Sequence, residues 1–196
     1  MVAFVVLDIE TTGLSPYRHA ITEIAAVKIE NNEVVDEFHT MVNPGQPIPS
    51  FIRKLTGITD EMVQNAPPIE QVLEQVHNFL GDAVFVGHNV GFDHKFIDHY
   101  SRLHLNKPVT NELLCTCKLA RRLLPELPSK RLQSICDYYA ITNSQAHRAM
   151  SDVLATKEIL FRMFEEQQPK LSDPEQFLSL QRLSAKQVQA MFAKTQ

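Results

Sequence analysis

The sequence predicts an α/β domain built on a mixed β-sheet. Three strand-like segments come first, and helix-like and strand-like segments then alternate, as expected of this fold class. Of the 196 residues, 44% are apolar, which is enough for a sizeable core, and the length suits one domain rather than two independent cores. We expect a domain over residues 1–168 and a short helical appendage over residues 169–196.

The first strands are predicted from their apolar patterns. Ala3–Leu7 is a continuous apolar run rich in β-branched residues, typical of a strand buried on both faces. Two more strands are predicted at Thr22–Ile29 and Val34–Met41. The Asn31-Asn32 pair between them tolerates tight-turn geometry, so an antiparallel hairpin is expected.

The next segments alternate between loop, helix and strand. Three prolines and a glycine make Asn43–Pro49 a loop. Apolar residues then recur on one helical face from Ile69 to Leu80, and Ala83–Val86 follows as a short buried strand. A second helix is predicted from Phe92 to Leu103. After a segment of mixed pattern, a long helix is expected from Ala149 to Phe164.

Beyond Pro169 the pattern predicts further helices. Ser172–Glu175 combines a polar cap, a proline in the first turn and an early acid. Ser184 and Gln187 form a second capping-box pattern ahead of a short apolar run. Two interpretations stay open: the appendage packs back on the domain, or it docks a partner.

Composition excludes several classes of protein. No apolar run approaches the roughly 18 residues of a membrane span, and acids arrive too early for a signal peptide, so we expect a cytoplasmic chain with no membrane partner. The three cysteines form no C-x-x-C pair, and reduced thiols are expected at Cys115, Cys117 and Cys136. The formal charge of −4 at first argues against a nucleic-acid partner.

Two carboxylates end the first strand. Because strand side chains alternate, Asp8 and Glu10 project to the same side while Ile9 faces the core. Like charges at that distance need a raised pKa or a bound cation, and oxygen ligands favour Mg²⁺ or Mn²⁺. A solvated strand end would explain the pair equally well.

Two later segments supply further acids. Asp93 follows the strand at 83–86 and lies in the first turn of a helix, where a carboxylate also suits the helix dipole. His147 and Asp152 are five residues apart, about 140° on a helix, so they converge only if His147 lies in the preceding loop. Four carboxylates and one histidine would then meet at one end of the sheet.

Three motifs, in this order, resemble those of the DEDDh group of DnaQ-like 3′–5′ exonucleases, which includes proofreading epsilon subunits of bacterial DNA polymerase III: Asp8-Ile-Glu10-Thr-Thr-Gly, His88-Asn89-x-x-Phe92-Asp93 and His147-x-x-x-x-Asp152. Leu55-Thr-Gly-Ile-Thr59 is similar to an accessory motif of bacterial members. The resemblance spans about residues 1–165 and implies a ribonuclease-H-like, five-stranded mixed sheet flanked by helices.

The same resemblance implies a chemistry. It is the release of nucleoside 5′-monophosphates from DNA 3′ ends with two Mg²⁺ or Mn²⁺ ions. Asp8 is expected to bridge both ions, with Glu10 and Asp152 at one and Asp93 at the other. His147 suits the general base, since histidines titrate near working pH.

Substrate contacts are also implied. Thr11 and Thr12 are placed to bond the backbone and 3′ hydroxyl of the terminal nucleotide, and Leu14 to wedge between the last bases. A core position is the alternative for Leu14. Gly13 and Asn89 complete the expected substrate-binding set.

Other candidates carry less specific patterns. Five basic residues could contact phosphates or form a solvated face: Lys118, Arg121, Arg122, Lys130 and Arg131. His88 is predicted to be a structural hydrogen bonder and Phe92 a core residue. A spacing of five does not stack side chains on one helix face, so zinc is not expected at His94, His99 and His104.

The main functional hypothesis is an exodeoxyribonuclease acting on single-stranded or frayed 3′ ends, with a DNA polymerase or a replication or repair complex as the implied partner. One alternative is an exoribonuclease that trims short RNAs. The other is a non-enzymatic scaffold, and the intact motifs disfavour only this second alternative. Two divalent ions would neutralise the charge of −4, so the acidity favours brief capture of a strand end over a tight grip along a duplex.

Overall fold

The computed structural model describes residues 3–167 and 176–193. Its strands are β1 (Phe4–Thr11), β2 (Ile21–Glu30), β3 (Glu33–Met41), β4 (Val84–Gly87) and β5 (Leu113–Cys115). They form one sheet in the order β3-β2-β1-β4-β5. The β1–β2 and β2–β3 pairs are antiparallel, whereas β1–β4 and β4–β5 are parallel, so the predicted mixed sheet is confirmed.

The hairpin between β2 and β3 follows from its turn residues. Asn31 and Asn32 have φ angles of 53° and 64°, in the left-handed region that a two-residue hairpin turn needs and that asparagine tolerates. The predicted hairpin is therefore confirmed.

The helices are α1 (Ser50–Thr56), α2 (Asp60–Val63), α3 (Ile69–Leu80), α4 (Gly91–Leu105), α5 (Thr116–Leu123), α6 (Leu132–Tyr139), α7 (Ala149–Gln167), α8 (Gln176–Leu180) and α9 (Ala185–Ala193). The three long helices, α3, α4 and α7, lie where the apolar periodicity predicts them. The pattern does not predict the shorter α1, α2, α5 and α6, because one or two turns are too few for a period to stand out.

The core lies on both faces of the sheet. On β1, Val6 packs into the cluster that contains α7, while its neighbours Val5 and Leu7 pack into the cluster that contains α3 and α4. All three side chains are at most 1% exposed. This double coverage is why β1 is an unbroken apolar run, and it leaves the polar end of the strand to form the site.

The accessory motif folds into a small separate cluster. Gly57 ends α1 with a φ of 72°, and its N–H donates to the carbonyl of Arg53. Ile58 then turns inward and packs with Ile48 and Val63. The left-handed C-cap explains the glycine of this motif.

The two C-terminal helices contribute to the α7 side of the core. Phe177, Leu180 and Val188 are at most 1% exposed and belong to that cluster. The Gln181 side chain lies on the edge strand β5, where it accepts from the Cys115 N–H (3.1 Å) and donates to the Leu113 carbonyl (2.7 Å). This segment thus packs back on the sheet and covers part of its edge.

The second capping box is confirmed at the start of α9. The Ser184 N–H donates to Gln187 Oε1 at 2.8 Å, and the Gln187 N–H donates to Ser184 Oγ at 3.3 Å. The predicted helix start at Ser172–Glu175 and the predicted boundary after residue 168 lie outside the described residues. Within the described ranges, no helix is both long and apolar enough to cross a membrane.

Candidate active site

Three carboxylates gather at the end of β1. Asp8 and Glu10 flank Ile9, whose side chain is 4% exposed, so the acids share the other face. Asp93, buried in the first turn of α4, accepts a hydrogen bond from the Ile9 N–H at 3.2 Å. An irregular register between Glu10 and Thr11 ends the regular pairing of β1 with β2 at the same point.

The start of α7 supplies the fourth acid and the histidine. His147 is an exposed turn residue with a φ of 66°, and Asp152 lies one turn inside the helix. The His147 N–H donates to Asp152 Oδ2 at 3.2 Å, and Asn143 Nδ2 donates to Asp152 Oδ1 at 2.6 Å. Possible ligand atoms of Glu10, His147 and Asp152 all lie within 4.8 Å of one another. His147 therefore lies in the turn before α7 and Asp152 inside the helix, which is the arrangement that lets two residues five apart converge.

The carboxylates perturb one another strongly. Burial, followed by the charges of its acidic neighbours, raises the pKa of Asp8 well above its usual value. Burial and neighbouring acids raise the pKa of Glu10 to about 8, and burial raises the pKa of Asp93 to about 8. Burial also raises the pKa of Asp152. Ionised together, these groups need a compensating cation.

This donor set fits a hard divalent cation. Glu10 and Asp152 present ligand atoms within 4.8 Å of each other, and the charges of both, together with that of Asp93, act on Asp8. The charge of Arg148 opposes the raised pKa of Glu10. Mg²⁺ and Mn²⁺ prefer such oxygen ligands, and a bound cation offsets the repulsion that the raised pKa values express.

We expect the metal-free protein to lose thermal stability as the pH rises from about 6.5 to about 8.5. Glu10 and Asp93 have folded pKa values of about 8, whereas free carboxyls titrate near 4. Stability from a raised folded pKa is fully present below the unfolded pKa and is lost as the pH rises through the folded one. The measurement is the melting temperature in EDTA at three pH values in this window.

Two further melting series, one with Mg²⁺ and one with a variant, test the same explanation. Saturating Mg²⁺ should flatten the decline, because the cation binds the ionised carboxylates of the folded state. Glu10→Gln should also give a shallower decline in EDTA, since it removes one of the titrating groups. A melting temperature that stays level or rises with pH in EDTA would contradict this description of the cluster.

A fifth acid, Glu23, was missed by the sequence reasoning. It lies on β2 directly across from Glu10 and is 1% exposed. Arg148 donates to it from Nε (3.1 Å) and from Nη2 (2.9 Å), the Ala149 N–H donates at 3.1 Å, and His39 Nε2 lies 2.7 Å from Oε1. Although burial raises its pKa, these hydrogen bonds bring the pKa of Glu23 below its usual value.

This carboxylate anchors the histidine turn. Arg148 and Ala149 directly follow His147, so their bonds to Glu23 tie the start of α7 to the sheet. The available signal was an acid directly before the apolar run Ile24–Val27 of β2, a position that demands a buried partner.

We expect Arg148→Met to cost about 3 kcal/mol of unfolding free energy, because it leaves the buried Glu23 carboxylate without its cation. The double variant Glu23→Gln/Arg148→Met should recover part of that loss, since no charge is then stranded. Urea unfolding measures both. Arg102→Ala, which breaks an exposed pair with Asp98, is the control and should cost about 0.5 kcal/mol or less. Equal losses for the single and double variants would contradict the charge argument.

The loop after β1 presents an exposed leucine. Leu14 is 84% exposed, so the core alternative for it is wrong. Thr11 Oγ1 donates to the Gly13 carbonyl at 2.7 Å, and Thr12 Oγ1 accepts from the Ala20 N–H at 2.9 Å. The two hydroxyls therefore shape this loop, and their predicted contacts with substrate stay predictions.

Two other predicted substrate residues border the site. A Cβ on Gly13 would lie 2.3 Å from the His19 ring, so only glycine fits there. Asn89 is exposed, with a φ of 72° in the turn between β4 and α4.

The remaining candidates have structural contacts. His88 bonds Thr116 Oγ1 and the Lys130 carbonyl, both at 2.9 Å, as a structural hydrogen bonder would. Phe92 is partly buried against the core. On α4, His94 Nε2 lies 3.0 Å from the Val109 carbonyl, and the rings of His99 and His104 pack against Tyr100.

Comparisons with known proteins agree with this geometry. Residues 5–160 match the family model described as Exonuclease (RNase_T). The chain is 40% identical over 163 residues to the DNA polymerase III subunit epsilon of Aquifex aeolicus, covering 83% of this chain and 81% of that protein. It is 46% identical over 165 residues to the PolC-type DNA polymerase III of Caldanaerobacter subterraneus subsp. tengcongensis, covering 84% of this chain and 12% of that much longer protein.

Solved structures show the same fold. Exonuclease X in complex with 5′ overhanging duplex DNA superposes with a TM-score of 0.73 at 26% identity, covering 91% of this chain and 99% of that one. A structure of exonuclease I superposes with a TM-score of 0.77 at 22% identity, covering 87% of this chain and 42% of that one. The predicted ribonuclease-H-like α/β fold is confirmed.

Proposed function

Since the chain belongs to the exonuclease family matched over residues 5–160, we propose that it is a metal-dependent 3′–5′ exonuclease that releases nucleoside 5′-monophosphates from DNA 3′ ends. The observation that carries this proposal is the convergence of four mutually repelling carboxylates and an exposed histidine at one end of the sheet. The relative named as an epsilon subunit and the DNA complex of exonuclease X favour DNA as the substrate.

Four carboxylates are proposed to hold two Mg²⁺ or Mn²⁺ ions: Asp8, Glu10, Asp93 and Asp152. The charges of Asp93, Glu10 and Asp152 all act on Asp8, which suits a shared ligand. When bound, divalent cations lower the pKa of water and stabilise the charge that develops on a cleaved phosphodiester.

His147 is proposed to be the general base. Its imidazole takes a proton from a water whose oxygen attacks the terminal phosphorus. The bond to the 3′ oxygen of the preceding nucleotide breaks, and that oxygen takes a proton from solvent to become the new 3′ hydroxyl. The nucleotide leaves as a 5′-monophosphate. Exposure lets the ring reach this water, while the N–H bond to Asp152 and the anchor at Glu23 hold its backbone.

The loop after β1 is proposed to receive the terminal nucleotide. Leu14 offers an exposed apolar side chain against which a base can pack, and Thr11, Thr12 and Gly13 place backbone and hydroxyl groups beside the acids. Asn89 lines a cleft that also contains His147 and Asp152, and it would contact the sugar.

We also propose a DNA polymerase or another replication or repair complex as the partner, on the printed names of the relatives. The exonuclease unit is proposed to span residues 1–168, in line with the family match. A DNA substrate and a polymerase partner would place the protein in the cytoplasm.

A panel of 5′-labelled oligonucleotides tests this function. Single-stranded, paired and mismatched 3′ ends are offered as DNA and as RNA, with Mg²⁺, Mn²⁺ or EDTA. We expect stepwise shortening from the 3′ end, release of 5′-monophosphates, faster cleavage of single-stranded and mismatched DNA ends, and none in EDTA. Equal rates on matched DNA and RNA would overturn the DNA preference, and no shortening with either metal would overturn the proposed function.

A further inference from the structure

A cleft of about 900 Å³ opens beside the candidate active site. His147 and Asp152 form one end of it, so it is continuous with the proposed catalytic residues. Its opposite wall consists of α5 and the segment leading into α6, including Arg121, Lys130 and Arg131. The volume lies at the upper end of the range for small-ligand sites.

The wall is basic although the whole chain is acidic. Arg121, Lys130 and Arg131 line the cleft, and the one acid among its lining residues is Asp152, which belongs to the active site. Within residues 3–167 and 176–193, none of the three forms an ion pair, although Lys130 Nζ donates to the Leu127 carbonyl. Cations lining a concave surface attract an anionic ligand.

The five basic residues predicted as a possible phosphate-binding cluster do not all line this cleft. Arg122, next to Arg121 in α5, donates instead to the carbonyl of Leu183 and is used in packing the C-terminal segment. Lys118 is exposed on α5 and does not line the cleft. Of these five residues, only Arg121, Lys130 and Arg131 line the cleft that reaches the active site.

The basic wall is held in place before any ligand binds. His88 at the end of β4 bonds both Thr116 at the start of α5 and the carbonyl of Lys130. Ser129 Oγ and Ser134 Oγ are 2.9 Å apart, which joins this segment to α6. A backbone that is already ordered loses less conformational entropy on binding than a mobile segment does.

The types of side chain that line the cleft indicate which ligand it binds. Among the described residues, no Phe, Tyr or Trp lines the cleft, and the two histidine rings there, His88 and His147, are assigned to a structural hydrogen bond and to the proposed base, so successive bases have no extended stacking platform. Cations and amide or hydroxyl donors, including Gln133 and Asn143, instead match phosphate oxygens. Such a surface tracks a sugar–phosphate backbone without regard to base sequence.

We infer that this cleft binds the backbone of single-stranded DNA on the 5′ side of the scissile bond, with Arg121, Lys130 and Arg131 contacting consecutive phosphates. The inference rests on the proposed exonuclease function, because only that function brings a strand end to His147. It assigns the basic wall to strand capture, so the acidic centre can cut while a separate surface holds the substrate.

The double variant Arg121→Ala/Arg131→Ala tests the inference with two substrates. The first is a 5′-labelled single-stranded 15-mer of DNA, and the second is thymidine 5′-monophosphate p-nitrophenyl ester, which has no phosphate upstream of the cleaved bond. At low salt we expect kcat/KM for the 15-mer to fall about 10- to 100-fold, mainly through KM. The ester should be hydrolysed at the wild-type rate. The charge-matched control Lys54→Ala/Lys107→Ala, at exposed positions outside the cleft, should leave both rates unchanged.

Salt dependence identifies phosphate contacts specifically. Each lost contact to a single strand lowers the slope of log affinity against log salt by about 0.7, so the double variant should reduce it by about 1.4. Fluorescence anisotropy of a labelled 15-mer in EDTA measures this slope without hydrolysis. An unchanged 15-mer rate and an unchanged slope would overturn the inference, and so would equal losses on the 15-mer and the ester.

The two proposals fail in distinguishable ways. If the wild type binds the 15-mer, the double variant loses that binding and neither protein cleaves either substrate, then the cleft binds single-stranded DNA, but the proposed function and the placement beside a scissile bond are both wrong. If the wild type cleaves both substrates and the variant matches it on both, the function holds and the cleft assignment is wrong. Urea unfolding midpoints equal to wild type confirm that the variant is folded.

Discussion

Asp8→Asn is expected to lower the rate of nucleotide release by at least about 10³-fold while the protein stays folded. Asp8 is surrounded by Asp93, Glu10 and Asp152, and its loss removes the carboxylate proposed to serve both ions. Metal stabilisation of a developing charge is worth several kcal/mol, and each 1.36 kcal/mol corresponds to a tenfold change in rate. The measurement is Mg²⁺-dependent release of mononucleotides from a single-stranded DNA oligonucleotide.

The same variant should be more stable than wild type without metal. Removing one of several buried like charges relieves repulsion, so the melting temperature in EDTA at about pH 8 should rise. A generally damaged protein would show the opposite change. Asp82→Asn, at an exposed position outside the cluster, is the control and should alter neither activity nor stability. Activity of Asp8→Asn within tenfold of wild type would refute the proposed role.

His147→Ala is expected to lower kcat by about 10²- to 10⁴-fold with little change in KM, as the loss of a general base does. The carboxylates proposed to bind the metal are untouched, so Mg²⁺ should raise the melting temperature of the variant as much as that of wild type. His104→Ala, at an exposed position on α4, is the matched control. Steady-state kinetics on the DNA oligonucleotide and melting curves with and without Mg²⁺ measure these effects.

Chemical rescue separates a base from a structural residue. Because His147 is exposed and faces the cleft, added imidazole can enter the space that the alanine leaves. We expect imidazole to restore part of the rate of His147→Ala and to leave the Asp8→Asn rate unchanged. Unchanged turnover of His147→Ala at neutral pH without imidazole would refute the role of general base.

Much of the site followed from local spacing. Residues two apart in a strand share one face, so spacing alone places Asp8 and Glu10 side by side. A separation of five residues with a helix beginning between them makes His147 a loop residue and Asp152 a helical one, and the fold has this arrangement. The joint appearance of such segments in one order made the family resemblance specific.

Other features of the structure, among them α5, α6 and the wall of the cleft, show no recognisable pattern in the sequence. Short helices such as α5 and α6 contain too few turns to show periodicity, and the wall of the cleft depends on both. Lys118, Arg121 and Arg122 lie within five residues of one another in the chain. Helix geometry and tertiary packing nevertheless assign Arg121 to the cleft and Arg122 to the C-terminal segment.

By itself, the sequence determined the fold class, the main elements and the identities of the acidic and histidine residues, because hydrophobic period and residue spacing act over a few neighbours. Only the tertiary structure decided how these residues are held and which basic residues line the cleft beside them. Glu23 and Arg148 are 125 positions apart. They pair because α7, which begins directly after Arg148, packs against β2. Contacts between residues so distant depend on the packing of the whole chain, which no local pattern encodes.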